Sequence, residues 1–232
     1  MGDGELSMRK SWLVVGLIVS FLVIHPEAYA LEPCPECGTV AGTIAVWRTK
    51  LKTEGPKSDK EVVVFLEPAT HKDFSPVDGA AVMDQLGLVF IPHVLSIQKG
   101  TTVEFKNSDN DKHNVYFLYD KTGETLDIGT KPPGVSVFHK FEGTGVVITL
   151  CKLHLEMAAY IIVLDNPYFT MAVIEEQTQK ASYEIKGVPP GEYILKAWHK
   201  KLKMKGKLGH VTVESEKTTQ FDIVITKSKY AK

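Results

Sequence analysis

Three side chains able to bind a soft metal sit close together in the stretch GVVITLCKLHLEMAAYIIVL (145–164): Cys151, His154 and Met157. A thiolate, an imidazole and a thioether on one short segment form a soft-to-borderline ligand set. One more imidazole would complete a site of two histidines and one cysteine with a weak axial methionine, the donor set of a one-electron copper centre. The upstream candidate is His113, in NSDNDKHNVYF. A single Cys beside two His and a Met is a poor structural zinc site, because such sites favour several thiolates in a tetrahedral array. Taken singly, each of these residues has an ordinary role: His113 in a turn or core, Met157 as core filler, Cys151 as a small buried hydrophobe. The joint pattern of HNV followed by C-x2-H-x2-M between apolar runs is what points to copper.

The elements that must position these ligands are strands. Val146 to Leu150 and Ala158 to Leu164 are apolar and rich in β-branched residues, and the segment between them is too short for a helix. Upstream, TVAGTIAVW (39–47) and EVVVFLE (61–67) read as strands separated by a polar stretch from Lys50 to Lys60. MDQLGLVFIPHVLSIQKGTTVEFKNSD reads as two or three short strands with a turn at Lys99-Gly100. NVYFLY and VSVFHKF follow, with turns at Lys121-Thr122-Gly123 and Pro132-Pro133-Gly134. Beyond Asp165, YFTMAVIEE, ASYEIKGVPPGEYILKAWHKK, LGHVTVES and TTQFDIVIT continue in the same manner. Turn signals about every ten residues with no amphipathic helix between them predict an all-β chain built from antiparallel sandwiches.

The chain has 232 residues, enough for one large core or two small ones, with 44% hydrophobic and 24% charged residues. A formal charge of −1 provides no basic field for nucleic acid. Arg9 and Lys10, the apolar run Trp12 to Ile24 and Ala28-Tyr29-Ala30 make residues 1–30 a secretory signal peptide, with Met8 as an alternative start. The alternative is a retained anchor, for which the run is short. Residues 1–30 carry two of the 27 Lys/Arg and three of the 28 Asp/Glu, so cleavage leaves 25 of each sign. Export to the periplasm or beyond, with no remaining membrane span, is the expectation.

Just after this segment, LEPCPECG places Cys34 and Cys37 in a CxxC. Gly38 excludes c-haem attachment, and no second CxxC exists for a zinc ribbon. A local disulfide is the expectation in an oxidising compartment, with a metal-handling pair as the alternative. His93, His139 and His199 read as surface or packed imidazoles. His199 and His210 bracket KKLKMKGK, a solvated turn or a docking patch for an anionic partner.

On these residues the chain resembles a known family. Phe90 to Leu164 (F-x-P-x-x-L-x-I-x-x-G-x-x-V-x-F-x-N-x-D, the HNV histidine, then C-x2-H-x2-M) is similar to a cupredoxin, with the loop length of amicyanin-like members. The resemblance implies a Greek-key β-sandwich, one Cu(II)/Cu(I) ion held by His113, Cys151, His154 and Met157, and Asn114 tying the two ligand loops together. Leu150 and Leu153 stand where many members have an aromatic residue and a proline, and Glu156 inside the loop is unusual. The segments GxVxGxI…VVVFLE and VPPGEYILKAWH resemble a carboxypeptidase-regulatory, transthyretin-like module. The combination resembles bacterial exported methylamine-utilisation or plastocyanin-like proteins.

The organisation expected is therefore a signal peptide (1–30), a CxxC segment with the first strands of a regulatory-like module (31–70), a cupredoxin domain (71–165) and the rest of the β module (166–232). The function expected is an exported carrier of single electrons between redox proteins such as a c-type cytochrome or a dehydrogenase, not an enzyme, since no catalytic triad, phosphate loop or second copper cluster is evident. A copper-delivery protein and an accessory β subunit of a redox complex are the alternatives.

Overall fold

A computed structural model describes residues 34–47, 51, 59–70, 74–75, 79–202 and 208–226. The expected signal peptide (1–30) and residues 203–207 of the lysine-rich run lie outside the described residues. The described residues form strands and turns, and no helix among them is long and apolar enough to cross a membrane. The fold is all-β, as expected, and consists of two sandwiches.

The first sandwich uses strands from both ends of the described residues. Strands β1 (Gly38–Trp47) and β2 (Glu61–Pro68) precede the strands of the second sandwich. Next come β3 (Ala80–Gln85), β4 (Phe90–Ile91), β5 (Val94–Gln98), β6 (Thr102–Asn107), β7 (His113–Tyr119), β8 (Thr125–Lys131), β9 (Val137–Lys140), β10 (Gly145–Leu150) and β11 (Ala158–Leu164). The chain ends with β12 (Phe169–Val173), β13 (Lys180–Val188), β14 (Gly191–Trp198), β15 (Gly209–Val213), β16 (Thr218–Gln220) and β17 (Ile223–Thr226). β1 pairs with β13, β16 and β17, while β2 lies between β12 and β14 in the sheet β12-β2-β14-β15. Strands on either side of residues 80–164 thus complete each other's sheets.

Both glycines of GTVAGTI are explained by this packing. A Cβ on Gly42 would lie 1.9 Å from the carbonyl oxygen of Phe221, and one on Gly38 would lie 2.5 Å from that of Glu214. The C-terminal chain crosses so close to β1 that only glycine fits. Tyr183 Oη donates to the same Phe221 oxygen at 2.6 Å and locks the crossing.

The second sandwich faces the sheet β5-β11-β10-β7-β8 against β4-β3-β6-β9. Phe90, Phe105, Phe117, Phe141, Met83, Ile161 and Met157 fill its core. The antiparallel expectation needs one correction: β5 pairs parallel with β11, β3 with β6, and β1 with β16 and β17. Hairpin turns supply only antiparallel neighbours; these pairs are joined by chain that leaves the sheet and returns, which permits either direction.

The two sandwiches stack face to face. Val62, Val64 and Leu66 of β2 point into the first core, whereas Val63 and Phe65 point the other way. Likewise Ala159, Ile161 and Val163 of β11 enter the second core, while Tyr160, Ile162 and Leu164 turn outward. These outward residues meet, joined by Val94, Val146, Phe169, Met171 and Trp198. A strand covered on both faces needs apolar residues at every position, which is why EVVVFLE and AAYIIVL do not alternate. β11 is therefore shared: it carries the metal-loop end of one sandwich and the contact face of the other.

A polar cluster borders this seam. Lys200 Nζ lies 3.0 Å from Asp59 Oδ1 and 2.9 Å from His93 Nε2, and Lys201 pairs with Asp59 Oδ2. Burial pushes the Asp59 carboxyl up, but its bonds to Lys201 and Lys200 outweigh that and hold it below the usual carboxylate range. His199 is buried, with Nε2 on the Asp59 carbonyl at 2.8 Å and Nδ1 accepting from the backbone N–H groups of Lys201 and Leu202. Lys200 thus joins the two sandwiches rather than facing solvent.

Candidate metal centre

The candidate donors come from the ends of three adjacent strands. His113 opens β7, Cys151 follows β10 and Met157 precedes β11; these strands lie side by side in the order β11-β10-β7. The hairpin register Leu150↔Ala158 closes the Cys151–Met157 loop, with Cys151 N donating to Met157 O at 3.2 Å and Met157 N to His154 O at 2.9 Å. The loop is thus a tight cap that presents three donor types from one strand junction.

His113, Cys151 and His154 converge. Their ligand atoms all lie within 4.8 Å of one another. His113 Nδ1 is 3.1 Å from His154 Nδ1, and Cys151 Sγ is 3.7 Å from His154 Nδ1. His113 and Met157 are fully buried, Cys151 is a buried free thiol, and His154 is half-buried. Glu156 is exposed, as are Leu153 (52%) and Leu155 (92%), which flank His154. The centre therefore reaches solvent through one imidazole set among apolar side chains.

Asn114 fastens the two ligand-bearing segments. Its backbone N–H donates to Cys151 Sγ at 3.4 Å, its Oδ1 accepts from Lys152 N at 3.3 Å and its Nδ2 donates to Asp127 Oδ1 at 2.8 Å. Asp127 also accepts from Lys152 Nζ and Gly129 N, at 2.8 and 2.9 Å. The Lys152 hydrogen bond first, then those from Asn114 and Gly129, pull the Asp127 carboxyl down to about 2. Lys152 Nζ sits 4.3 Å above the Tyr116 ring.

Two carboxylates of this site escape sequence reasoning. Asp127 lies on β8 with no spacing relation to the ligands. Asp109 lies four residues before His113, and its Oδ2 is 3.0 Å from His113 Nε2. The only available signal was that spacing, inside a run with Asn107, Ser108, Asn110 and Asp111 as equal candidates. An N–H from Leu88 first, and the His113 hydrogen bond next, hold Asp109 below the usual carboxylate range. An ionised carboxylate only accepts, so Nε2 of His113 is the donor in this contact, and Nδ1, 3.1 Å from His154 Nδ1, faces the centre.

His93 and His199 belong to the seam cluster, and His139 packs against Phe117 and Phe141, with Nε2 3.3 Å from Tyr119 Oη. Burial pushes the His139 and His199 pKa values down. Cys34 and Cys37 form a disulfide beside the start of β1, in the first sandwich.

No protein-family model and no curated protein matches the sequence. Among solved structures, the chain is similar to a purple cupredoxin from Nitrosopumilus maritimus at 24% identity and a TM-score of 0.33, over 36% of this chain and 99% of that one. It is similar to an amicyanin variant in its Cu(I) form at 23% identity and 0.35, over 43% and 99%. A copper-containing nitrite reductase from Thermus scotoductus SA-01 matches at 23% and 0.36, over 44% of this chain and 26% of the reductase. These likenesses span less than half of the chain at low scores. The donor atoms that converge, one sulfur and two imidazole nitrogens, are of the types that suit a soft-to-borderline metal such as copper.

Proposed function

We propose that this chain is an exported copper protein that carries single electrons between redox proteins. His113, Cys151 and His154 would hold the ion, with Met157 as the weak fourth ligand. The observation that carries this reading is the convergence of the three donor atoms within 4.8 Å. Copper supplies reversible one-electron exchange when bound.

The chain's own residues do the rest. Asn114 and Asp109 fix the donors before any metal arrives, which keeps reorganisation small. Burial of His113, Cys151 and Met157 excludes water from the centre. His154, flanked by exposed Leu153 and Leu155, offers the contact point for an apolar patch on a partner such as a c-type cytochrome or a dehydrogenase. Export is supported by the signal-like N-terminal sequence and by the Cys34–Cys37 disulfide, which suits an oxidising compartment. The disulfide also ties up the two thiols that a Cu(I)-delivery role would use.

The test is the visible spectrum after adding Cu(II), beside a Cys151→Ala variant. An intense thiolate-to-copper band that vanishes in the variant is expected. A colourless protein, or colour indifferent to Cys151, overturns the reading.

A further inference from the structure

Resting on the copper reading above, we propose that Asp109 is a positioning residue that tunes the metal: it holds the His113 ring by Nε2 and lends that imidazole anionic character, favouring Cu(II) over Cu(I). A backbone carbonyl in the same place would orient the ring but bring no charge. A carboxylate brings a full negative charge to the far side of a donor ligand, which raises its basicity. The more oxidised ion gains most from a stronger donor.

The local structure is built around this contact. His113 is fully buried and the Asp109 side chain is 14% exposed, so their hydrogen bond is largely sheltered from water. Each carboxylate oxygen is held: Oδ2 also accepts from Leu88 N at 2.9 Å, and Oδ1 accepts from Asn110 N at 3.1 Å. Asp109's own N–H donates to Asn107 Oδ1 at 3.1 Å, and buried Asn107 reaches the carbonyls of Asp111 and Lys131 through Nδ2.

Leu88 delivers its N–H from an unusual conformation. It sits at φ 60°, in the left-handed region that L-residues rarely adopt, directly after Gly87 at φ 66°. The turn joining β3 to β4 is closed by Leu86 N on Val89 O at 3.1 Å. Ser108 N binds both Gln85 O and Asp84 Oδ1 at 3.1 Å, which ties the same turn to the Asp109 loop. An adjoining hairpin, the carboxylate and the ligand imidazole are thus joined in series through one oxygen atom.

The test uses the full chain with Asp109→Asn, Asp109→Glu and, as a control for bare charge, Asp111→Asn at an exposed neighbour. Affinities for Cu(II) and Cu(I) are measured by competition, together with the reduction potential. Asp109→Asn is expected to weaken Cu(II) binding about ten- to hundredfold, and Cu(I) binding less. Each tenfold difference between the two ions raises the potential by about 59 mV. Asp109→Glu should recover most of the shift, and Asp111→Asn should leave it within about twofold in affinity ratio.

Equal losses for both ions, or an equal shift from Asp111→Asn, overturn the tuning role while leaving the copper site standing. A wild-type protein that binds no copper overturns the copper reading, and this role falls with it. In the metal-free protein, the His113 Nε2–H should exchange slowly and become fast in Asp109→Ala. Rapid exchange in the wild type would also overturn the proposal.

Discussion

The backbone N–H of Asn114 is aimed at Cys151 Sγ across 3.4 Å, which binds the start of β7 to the loop that leaves β10. The side chain of Asn114 completes the joint by bonding Lys152 N and Asp127. One residue therefore sets where the thiolate stands relative to His113.

Replacing Asn114 with alanine is expected to cost about 1–3 kcal/mol in the metal-free protein, because Lys152 N–H loses its partner and Asp127 loses a donor. With copper bound, the thiolate absorption should shift in energy. Urea unfolding and the visible spectrum check the two effects. An unchanged spectrum would show that the Cys151 position does not depend on Asn114.

Acid should weaken the fold through Asp127. Its folded pKa of about 2 lies below the ordinary carboxylate value of about 3.9. Depressed carboxylates stabilise above the unfolded pKa and lose that contribution as pH falls through the folded one. Metal-free wild type should therefore lose stability between about pH 4 and pH 2, and Asp127→Asn should lose less across that window. Asp59, also held low, adds to the same slope in both proteins. Parallel pH profiles would remove Asp127 from the account.

At the seam, Ile162→Ala should destabilise the described fold by about 2–5 kcal/mol, the range for emptying a packed core position. Ile162 is 3% exposed and lies among Val63, Phe65 and Trp198 in a cluster that belongs to both sandwiches. Urea unfolding monitored by tryptophan fluorescence reads the loss. A change within about 0.5 kcal/mol, ordinary for a surface site, would mean that the seam is not packed as described.

Lys200→Met should cost about 1–3 kcal/mol, since the buried Asp59 carboxylate keeps Lys201 but loses its second cationic partner, and the link to His93 is broken. Adding Asp59→Asn should restore part of the loss, because a neutral amide no longer demands a counter-charge. If the double variant is no more stable than Lys200→Met, the ion pair is not the source of the effect.

The candidate ligands on one loop could be singled out in the sequence because their spacing is set by a short turn between strands, and the structure brings Cys151 and His154 together with His113. Cys151, His154 and Met157 are neighbours along the chain, and the apolar runs on either side fix their strands. Asp109 and Asp127 could not be singled out, since carboxylates near turns are common and their roles depend on contacts with His113 and Asn114. The unbroken apolar runs of β2 and β11 marked them as strands, but their second buried face appears only when sheets are stacked. Likewise, the link from His93 through Lys200 to Asp59 joins segments whose relation is set entirely by that stacking. The parallel pairing of β5 with β11 was hidden for the same reason.

Asn166 Nδ2 donates to the carbonyl of Leu66, a partner 100 positions earlier in the chain. β12 follows the whole second sandwich in the chain, so β2 has no such partner until that sandwich has been synthesised. If that sandwich stayed unfolded, bringing β12 back to β2 would close a very long loop, at an entropic cost that grows with loop length. Once it has folded, the same closure spans only a compact body. The middle of the chain should consequently reach its native pairing before its two ends do, and refolding should be slow for a protein so dominated by distant contacts.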